Sequence, residues 1–192
     1  MPIDDEVRRA MARWPAVPAM HGWLRLTRRG RWMLIDRGRP GFDETQHGAG
    51  SEITSPPILD FIGRNYLPDE TGAWHWQNGP QRVFVDLDLA PLYFRVLEPA
   101  GALPGAQSLI THTGYPVDAI RRAAIDAQGN LWLDTNLGPG CVDDRDLAQL
   151  DLDLDSTPGQ LHLMGLHEVI ELEQAPEKQF GFVAHPQPDQ TR

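Results

Sequence analysis

The sequence predicts an α+β fold made mostly of antiparallel β-hairpins that curl against two or three short helices. Three observations support this prediction. Apolar runs typical of strands recur along the 192 residues and are separated by glycine-containing turns. Glycine and proline are abundant, at 18 and 17 residues, which indicates many turns and irregular connections. Helical periodicity is confined to short stretches with capping residues or prolines at their ends.

The helices follow from spacing and end signals. Val7, Met11 and Trp14 recur at helical spacing after two aspartates that can cap a helix. A second helix begins at two prolines that follow Thr54 and Ser55, because proline fits the first helical turn. We predict helices over residues 4–14, 57–65 and 143–150.

Three predicted hairpins share a pattern in which a turn glycine precedes a tryptophan by two or three residues. Glycine supplies the positive φ of the turn, and tryptophan supplies a large cross-strand contact. The shared pattern fits either an internal duplication or three independent hairpins. An Asn-Gly turn leads into the clearest alternating strand of the chain. The predicted strands and hairpins are 23–36, 67–77, 81–90, 92–97, 108–113, 124–134 and 161–172.

The remaining segments are predicted to be connections. Residues 37–52, 98–107 and 136–140 lack periodicity and are rich in glycine, proline or polar residues. Residues 117–123 fit a helix or a strand equally well. We expect residues 1–173 to form one compact α+β domain, or two β-rich halves of about 1–98 and 107–173. Residues 174–192 are polar and proline-rich and predict a flexible C-terminal tail.

One part of this pattern resembles known families. The features are Gly30-Arg31-Trp32, the helix over residues 57–65, Gly72-Ala73-Trp74 and the strand over residues 82–89. Together they resemble uncharacterised proteobacterial families known only as domains of unknown function, with a looser match over residues 131–136. The resemblance supports the fold and implies no activity.

Composition excludes several classes of function. Cys141 is the single cysteine, so no intramolecular disulfide exists. The sequence has neither a secretory signal nor a run of about 18 apolar residues, so we expect a soluble cytoplasmic protein without membrane contact. The net charge of −10 argues against general nucleic-acid binding. Residues 1–40 nevertheless hold nine arginines against four acidic residues, which predicts faces of opposite potential.

No metal or cofactor motif is present. The sequence lacks His-x-x-x-His and Cys-x-x-Cys pairs, and the carboxylates of residues 151–155 do not follow the EF-hand pattern. Phosphate-binding glycine loops are also absent, and the single lysine, Lys178, lies in the predicted tail. We therefore predict no cofactor and no metal.

Two hairpins and one loop carry the candidate binding residues. Arginine beside tryptophan in the first hairpin suits an anionic ligand or partner, although it also suits an exposed hairpin. The segment around the Asn-Gly turn is dense in recognition groups, although its tryptophans also suit a core. The candidates are Arg28, Arg29, Arg31, Trp74, Trp76, Asn78, Gln81, Arg82 and His112.

Two classes of function remain open. The first is a non-enzymatic binding or interaction protein that contacts an unknown protein or a small anionic ligand, with a homodimer as one form. The second is a hydrolase or other small-molecule enzyme with its site at residues 111–115 near Arg82 and Cys141. The absence of a Gly-x-Ser-x-Gly elbow, a metal motif and a cofactor motif favours the binding class.

Overall fold

A computed structural model describes residues 3–37, 39–98 and 107–188 of the chain. It confirms the α+β class, with strands in two mixed sheets and four short helices among the described residues. The chain divides into two compact units. Unit 1 comprises Met1–Pro91 and Gly181–Arg192, and unit 2 comprises Leu92–Phe180. Most of the loop predicted over residues 98–107 lies outside the described residues.

The described part of unit 1 contains three helices and a six-stranded sheet. The two longer helices lie where the capping and proline signals predict them. The segment predicted to be a loop over residues 37–52 holds a four-residue helix and a two-residue strand instead. The elements are α1 (Asp5–Arg13), β1 (Met20–Leu26), β2 (Trp32–Leu34), α2 (Glu44–His47), β3 (Ser51–Glu52), α3 (Pro56–Arg64), β4 (Tyr66–Pro68), β5 (Trp74–Asn78) and β6 (Gln81–Leu87).

The sheet of unit 1 joins two hairpin systems through a parallel pair of strands. Its order is β3-β2-β1-β6-β5-β4. The β1–β2 and β5–β6 hairpins are antiparallel, as predicted, whereas β1 pairs with β6 in parallel. The β1–β6 register shifts between Met20 and Leu24, and Gly22 has a φ of 74°. Strand β1 therefore bulges at Gly22.

The core of unit 1 lies on one face of this sheet. Alternation on β6 turns Val83, Val85 and Leu87 into this core, because successive side chains of a strand point to opposite faces. Tyr66 lies between two core tryptophans, with ring centroids 4.9 Å from Trp32 and 4.8 Å from Trp74. The predicted cross-strand tryptophans are thus core residues.

Unit 2 contains an eight-stranded sheet of order β12-β13-β14-β9-β10-β11-β7-β8. Residues 117–123, which fit a helix or a strand, contribute the start of β9. The helix predicted over residues 143–150 is a single 3-10 turn, Leu147–Gln149. The elements are β7 (Leu92–Leu97), β8 (Ser108–Thr111), β9 (Ile120–Ile125), β10 (Leu131–Thr135), β11 (Gly138–Val142), β12 (Asp151–Asp153), β13 (Gly159–His162), β14 (Leu166–Glu171) and α4 (Pro176–Phe180).

Strand β11 corrects the prediction of a loop over residues 136–140. Its sequence begins Gly-Pro-Gly, a composition typical of turns, yet it pairs with β10 on one side and with β7 on the other. A Cβ atom on Gly140 would collide with the carbonyl oxygen of Leu92. Glycine is present here because the backbone of β7 passes too close for any side chain.

Four hairpin turns share one hydrogen-bond pattern. In each, the glycine N–H donates to the carbonyl of the residue three positions earlier, and that residue is threonine or aspartate. Its side-chain oxygen also accepts a backbone N–H four residues later. Three of these turns belong to the predicted hairpins that share a glycine and a tryptophan. The four turns are 27–30, 69–72, 111–114 and 126–129.

Segment 181–188, termed the C-terminal strap, has defined contacts where the sequence predicts a flexible tail. The N–H of Val183 donates to the carbonyl of Gly72 at 3.0 Å, and the N–H of Leu87 donates to the carbonyl of Ala184 at 2.8 Å. Phe182 is buried. Just before the strap, Phe180 of α4 stacks on Trp132 in unit 2. Long-range backbone pairing gives this segment its structure.

Replacing Asp126 with alanine should lower the free energy of unfolding by about 2–4 kcal/mol in urea denaturation. Its carboxylate accepts the buried indole N–H of Trp132 at 2.9 Å as well as bonds from Gln128 and Asn130. Asp69→Ala is the matched control, because Asp69 holds the same type of turn and accepts no indole N–H. An equal decrease in the free energy of unfolding in the two variants would show that the indole hydrogen bond contributes nothing to stability.

Candidate functional site

A pocket of about 260 Å³ lies within unit 1 beside the end of β6. It is lined by His21 and Gly22 of the β1 bulge, by Arg37, by Asp86, and by residues 185–188 of the C-terminal strap. We term it the Asp86 pocket. The bulge contributes to its geometry, because it places the ring of His21 on that of Phe84, with centroids 4.5 Å apart.

Asp86 is the buried charge of this pocket, with a side chain only 7% exposed. It follows from strand alternation that Asp86 and Phe84 lie on the face opposite the core residues Val83 and Val85. A buried carboxylate requires compensating positive charge or hydrogen bonds. Arg37 provides this at 3.2 Å from Nη1 to Oδ2, and the Nδ1 atom of His185 lies 3.6 Å from Oδ1.

A chain of alternating charges leads away from the pocket. The Nη2 atom of Arg37 donates to Glu44 on α2 at 3.0 Å. Glu44 also accepts from Arg25 at 2.7 Å, and Arg25 binds both carboxylate oxygens of Asp88 at 2.7 and 3.0 Å. Burial alone would raise the pKa of Glu44, but its hydrogen bonds to the two arginines keep that pKa below its usual value. The short helix α2 thus fixes the position of Arg37.

The binding residues predicted around the Asn-Gly turn occupy several different environments. Trp74 is fully buried in the core of unit 1, and Trp76 is half-buried with its ring edge-on to Phe61 at 5.7 Å. Asn78 is exposed at the end of β5. The remaining two are partly buried: Gln81 donates to the carbonyl of Pro18 at 3.2 Å, and Arg82 pairs across the sheet with Gln77.

His75 lies between these residues on the opposite face of β5 from Trp74. Burial lowers its pKa, and the positive charge of Arg82 lowers it further. The imidazole is therefore neutral at pH 7. Its ring lies 5.6 Å from that of Phe84, which also stacks on His21, so the three rings form a row across strands β5, β6 and β1.

The arginines predicted for the first hairpin lie at its tip. Arg28 and Arg29 are exposed in the turn that joins β1 to β2, and Arg31 forms an exposed ion pair with Glu52 at 3.3 Å. Arg25, on the same hairpin, belongs instead to the charge chain described above. The hairpin therefore places Arg28, Arg29 and Arg31 on the surface, and Arg25 in the charge chain beside the pocket.

The residues of the predicted enzyme site are divided between the units. Arg82 belongs to unit 1, whereas His112 and Cys141 belong to unit 2. His112 adjoins one edge of β7 through a 2.7 Å hydrogen bond from its N–H to the carbonyl of Tyr93. Cys141 pairs with Tyr93 from the other edge. Two strand spacings, about 10 Å, therefore separate the backbones of His112 and Cys141.

Residues 111–115 form one of the four hairpin turns. Thr111 accepts the N–H of Tyr115 at 3.0 Å and shares a 2.9 Å hydrogen bond with Thr113. Burial lowers the pKa of His112 to about 3, so its imidazole is neutral at pH 7. Its Nδ1 accepts the N–H of Tyr93 at 3.3 Å, which places the proton on Nε2. These contacts account for the segment as a structural turn.

The described residues contain neither a metal-ligand cluster nor a membrane-spanning helix. Within residues 3–37, 39–98 and 107–188, no three His, Cys, Asp or Glu side chains come together as a metal site would require. None of the helices in that part of the chain has the length and apolar character needed to cross a bilayer.

Sequence reasoning missed His21, Asp86 and His185 of the pocket, and it indicated Arg37 only as one of the arginines of the first hairpin. His185 lies in the segment predicted to be a tail, and Arg37 begins a segment predicted to be a loop. Asp86 occupies a polar position of the alternating strand over residues 81–90, where the pattern predicts an exposed side chain. Its burial depends on Arg37 and the C-terminal strap, which the local sequence does not reveal.

A family described as "Protein of unknown function (DUF2946)" matches residues 3–187, almost the whole described chain. The chain belongs to this family, DUF2944. The predicted resemblance to a family of unknown function is thereby confirmed. No curated protein matches the chain.

Two solved structures are similar to the chain. A DUF1285 family protein from Silicibacter pomeroyi DSS-3 has a TM-score of 0.53 at 15% identity and covers 84% of each chain. A DUF1285 family protein from Shewanella baltica OS155 has a TM-score of 0.46 at 11% identity, covering 67% of this chain and 89% of its own. At 15% identity, the likeness to the Silicibacter protein concerns the fold alone.

Cys141 should react with iodoacetamide only after denaturation, because its side chain is buried within the unit 2 sheet. Mass spectrometry of the native and urea-unfolded protein measures this directly, and the unfolded sample is the control for intrinsic reactivity. Rapid alkylation of the folded protein at neutral pH would instead indicate an accessible thiolate and restore Cys141 as a candidate nucleophile.

Proposed function

We propose that this protein is a non-enzymatic binding protein and that its Asp86 pocket receives the anionic group of a small ligand. The observation that carries the proposal is the convergence of Arg37, His21 and His185 around a single buried carboxylate in a concave site. Concave sites with a few convergent polar groups are the usual form of a small-molecule site.

Hydrogen-bond donors favour an anionic ligand over a cationic one. Asp86 is the acidic residue of the lining, and its charge is already offset by Arg37. The other polar lining groups are two imidazoles and the amide of Gln187, all of which can donate hydrogen bonds. A ligand carboxylate or phosphate would therefore meet donors. Hydrogen bonds between such donors and an ionised oxygen are the stronger kind.

Size limits the ligand to a small one. The pocket volume of about 260 Å³ lies just below the range of roughly 300–1,000 Å³ found for ligand pockets generally. Pro186 and Pro188 add apolar surface beside the charged groups. Inorganic phosphate, a short dicarboxylate or the phosphorylated end of a metabolite has the required combination of size and charge.

The proposal also includes a cytoplasmic location, as predicted from the sequence. The enzyme alternative receives less support, because His112 and Cys141 flank opposite edges of β7 and residues 111–115 form a structural turn. Binding to an unknown protein, or to a second copy of the chain, is the other form of the binding class and would use an open surface. Native mass spectrometry of the protein from its own source distinguishes a retained small molecule from a protein partner or homodimer.

Arg37→Gln should weaken phosphate binding at least tenfold in isothermal titration calorimetry. The change removes a donor from the pocket and leaves Asp86 and Glu44 without its compensating charge, so both carboxylates would repel an anion. Loss of one charge-assisted hydrogen bond corresponds to roughly 1.5–3 kcal/mol, or about 10- to 150-fold in affinity.

The matched control is Arg121→Gln, which removes an exposed arginine from β9 in unit 2 and changes the net charge equally. Circular dichroism confirms that both variants fold. Equal phosphate affinity in the two variants would remove Arg37 from the site. Failure of the unaltered protein to bind phosphate and succinate at millimolar concentration would overturn the proposed anion site.

A further inference from the structure

The C-terminal strap occupies the gap where β5 and β6 diverge. The two strands pair from Asn78 and Gln81 as far as His75 and Phe84. Beyond that point, the strap bonds on one side to Gly72, through Val183, and on the other to Leu87, through Ala184. It therefore lies between the two strand ends as an extra short strand.

The seated strap supplies much of the Asp86 pocket. Residues 185–188 line it, and His185 lies beside Asp86 directly after the residue that bonds to Leu87. The other lining residues come from β1, β6 and the segment after β2. The site is thus complete only when the strap is seated between β5 and β6.

We propose that the strap is the closing element of the Asp86 pocket, with His185 as its ligand-binding residue and Gly72 as the residue that positions it. This inference rests on the proposed function. Ligand binding and seating of the strap are then thermodynamically linked: an anion held by both Arg37 and His185 stabilises the seated strap. By reciprocity, a loosened strap weakens binding of the anion by the same factor.

Gly72 determines whether the strap can seat. A Cβ atom at this position would collide with the carbonyl oxygen of Gly181, and the backbone has a φ of +84°. Gly129 provides a matched comparison, because it occupies the same type of turn with a φ of +81° and has no atom within 4 Å of its Cβ position. Alanine meets the same backbone strain at both sites, but it displaces the strap only at Gly72.

Hydrogen–deuterium exchange of the full chain tests the linkage with inorganic phosphate as the probe. The reporters are the amides of Val183 and Leu87, whose hydrogen bonds hold the strap. In the unaltered protein, phosphate at ten times its Kd should slow exchange of these two amides about tenfold. If phosphate binds but does not slow exchange of either amide, the inference is wrong, and no variant is needed to show this.

The two glycine variants provide the second test. Gly72→Ala should speed exchange at Val183 and Leu87 and weaken phosphate binding at least tenfold, while Gly129→Ala changes neither. If Gly72→Ala loosens the strap but binds phosphate normally, the linkage is wrong and the proposed function stands. If the strap amides of Gly72→Ala exchange normally, Gly72 does not position the strap. If the unaltered protein does not bind phosphate or succinate, the proposed function fails and the linkage fails with it.

Discussion

The buried carboxylate of Asp86 is the constraint on which the polar face of unit 1 depends. A charge in the middle of a sheet is tolerated only beside compensating groups, so Arg37 must remain within reach of it. Arg37 is held in turn by Glu44 on α2. This explains why a helix of four residues occurs in a segment that lacks any periodicity: its function is to present a carboxylate between two arginines.

The four related turns show how the sheets are assembled from local information. Aspartate or threonine caps each turn through its own side chain, and glycine accepts the positive φ at the end. The same turn geometry occurs beside different packing partners. Asp126 also holds the buried indole of Trp132, whereas the turn at Asp69 receives the strap beside Gly72. The hairpins therefore resemble one another in the geometry of their turns.

Local signals made much of the fold predictable. The hairpins, α1, α3 and the alternating strand β6 follow from glycine turns, capping residues and periodicity. Strand β11, the strap and the parallel pairing of β1 with β6 were not predictable, because they depend on contacts between distant segments. The pocket was missed for the same reason. Its residues are widely spaced in sequence, and Asp86 occupies a position where strand alternation predicts an exposed polar residue.

The insertion of unit 2 between the two parts of unit 1 has a consequence for synthesis. A ribosome that has made β6 must still make Leu92–Phe180 before the segment that lies beside β6 emerges. At about 5–20 residues per second, this takes several seconds, during which the nascent polar face holds Asp86 without His185. The first part of unit 1 therefore remains without the C-terminal strap until unit 2 has been synthesised, so translation sets the order of assembly.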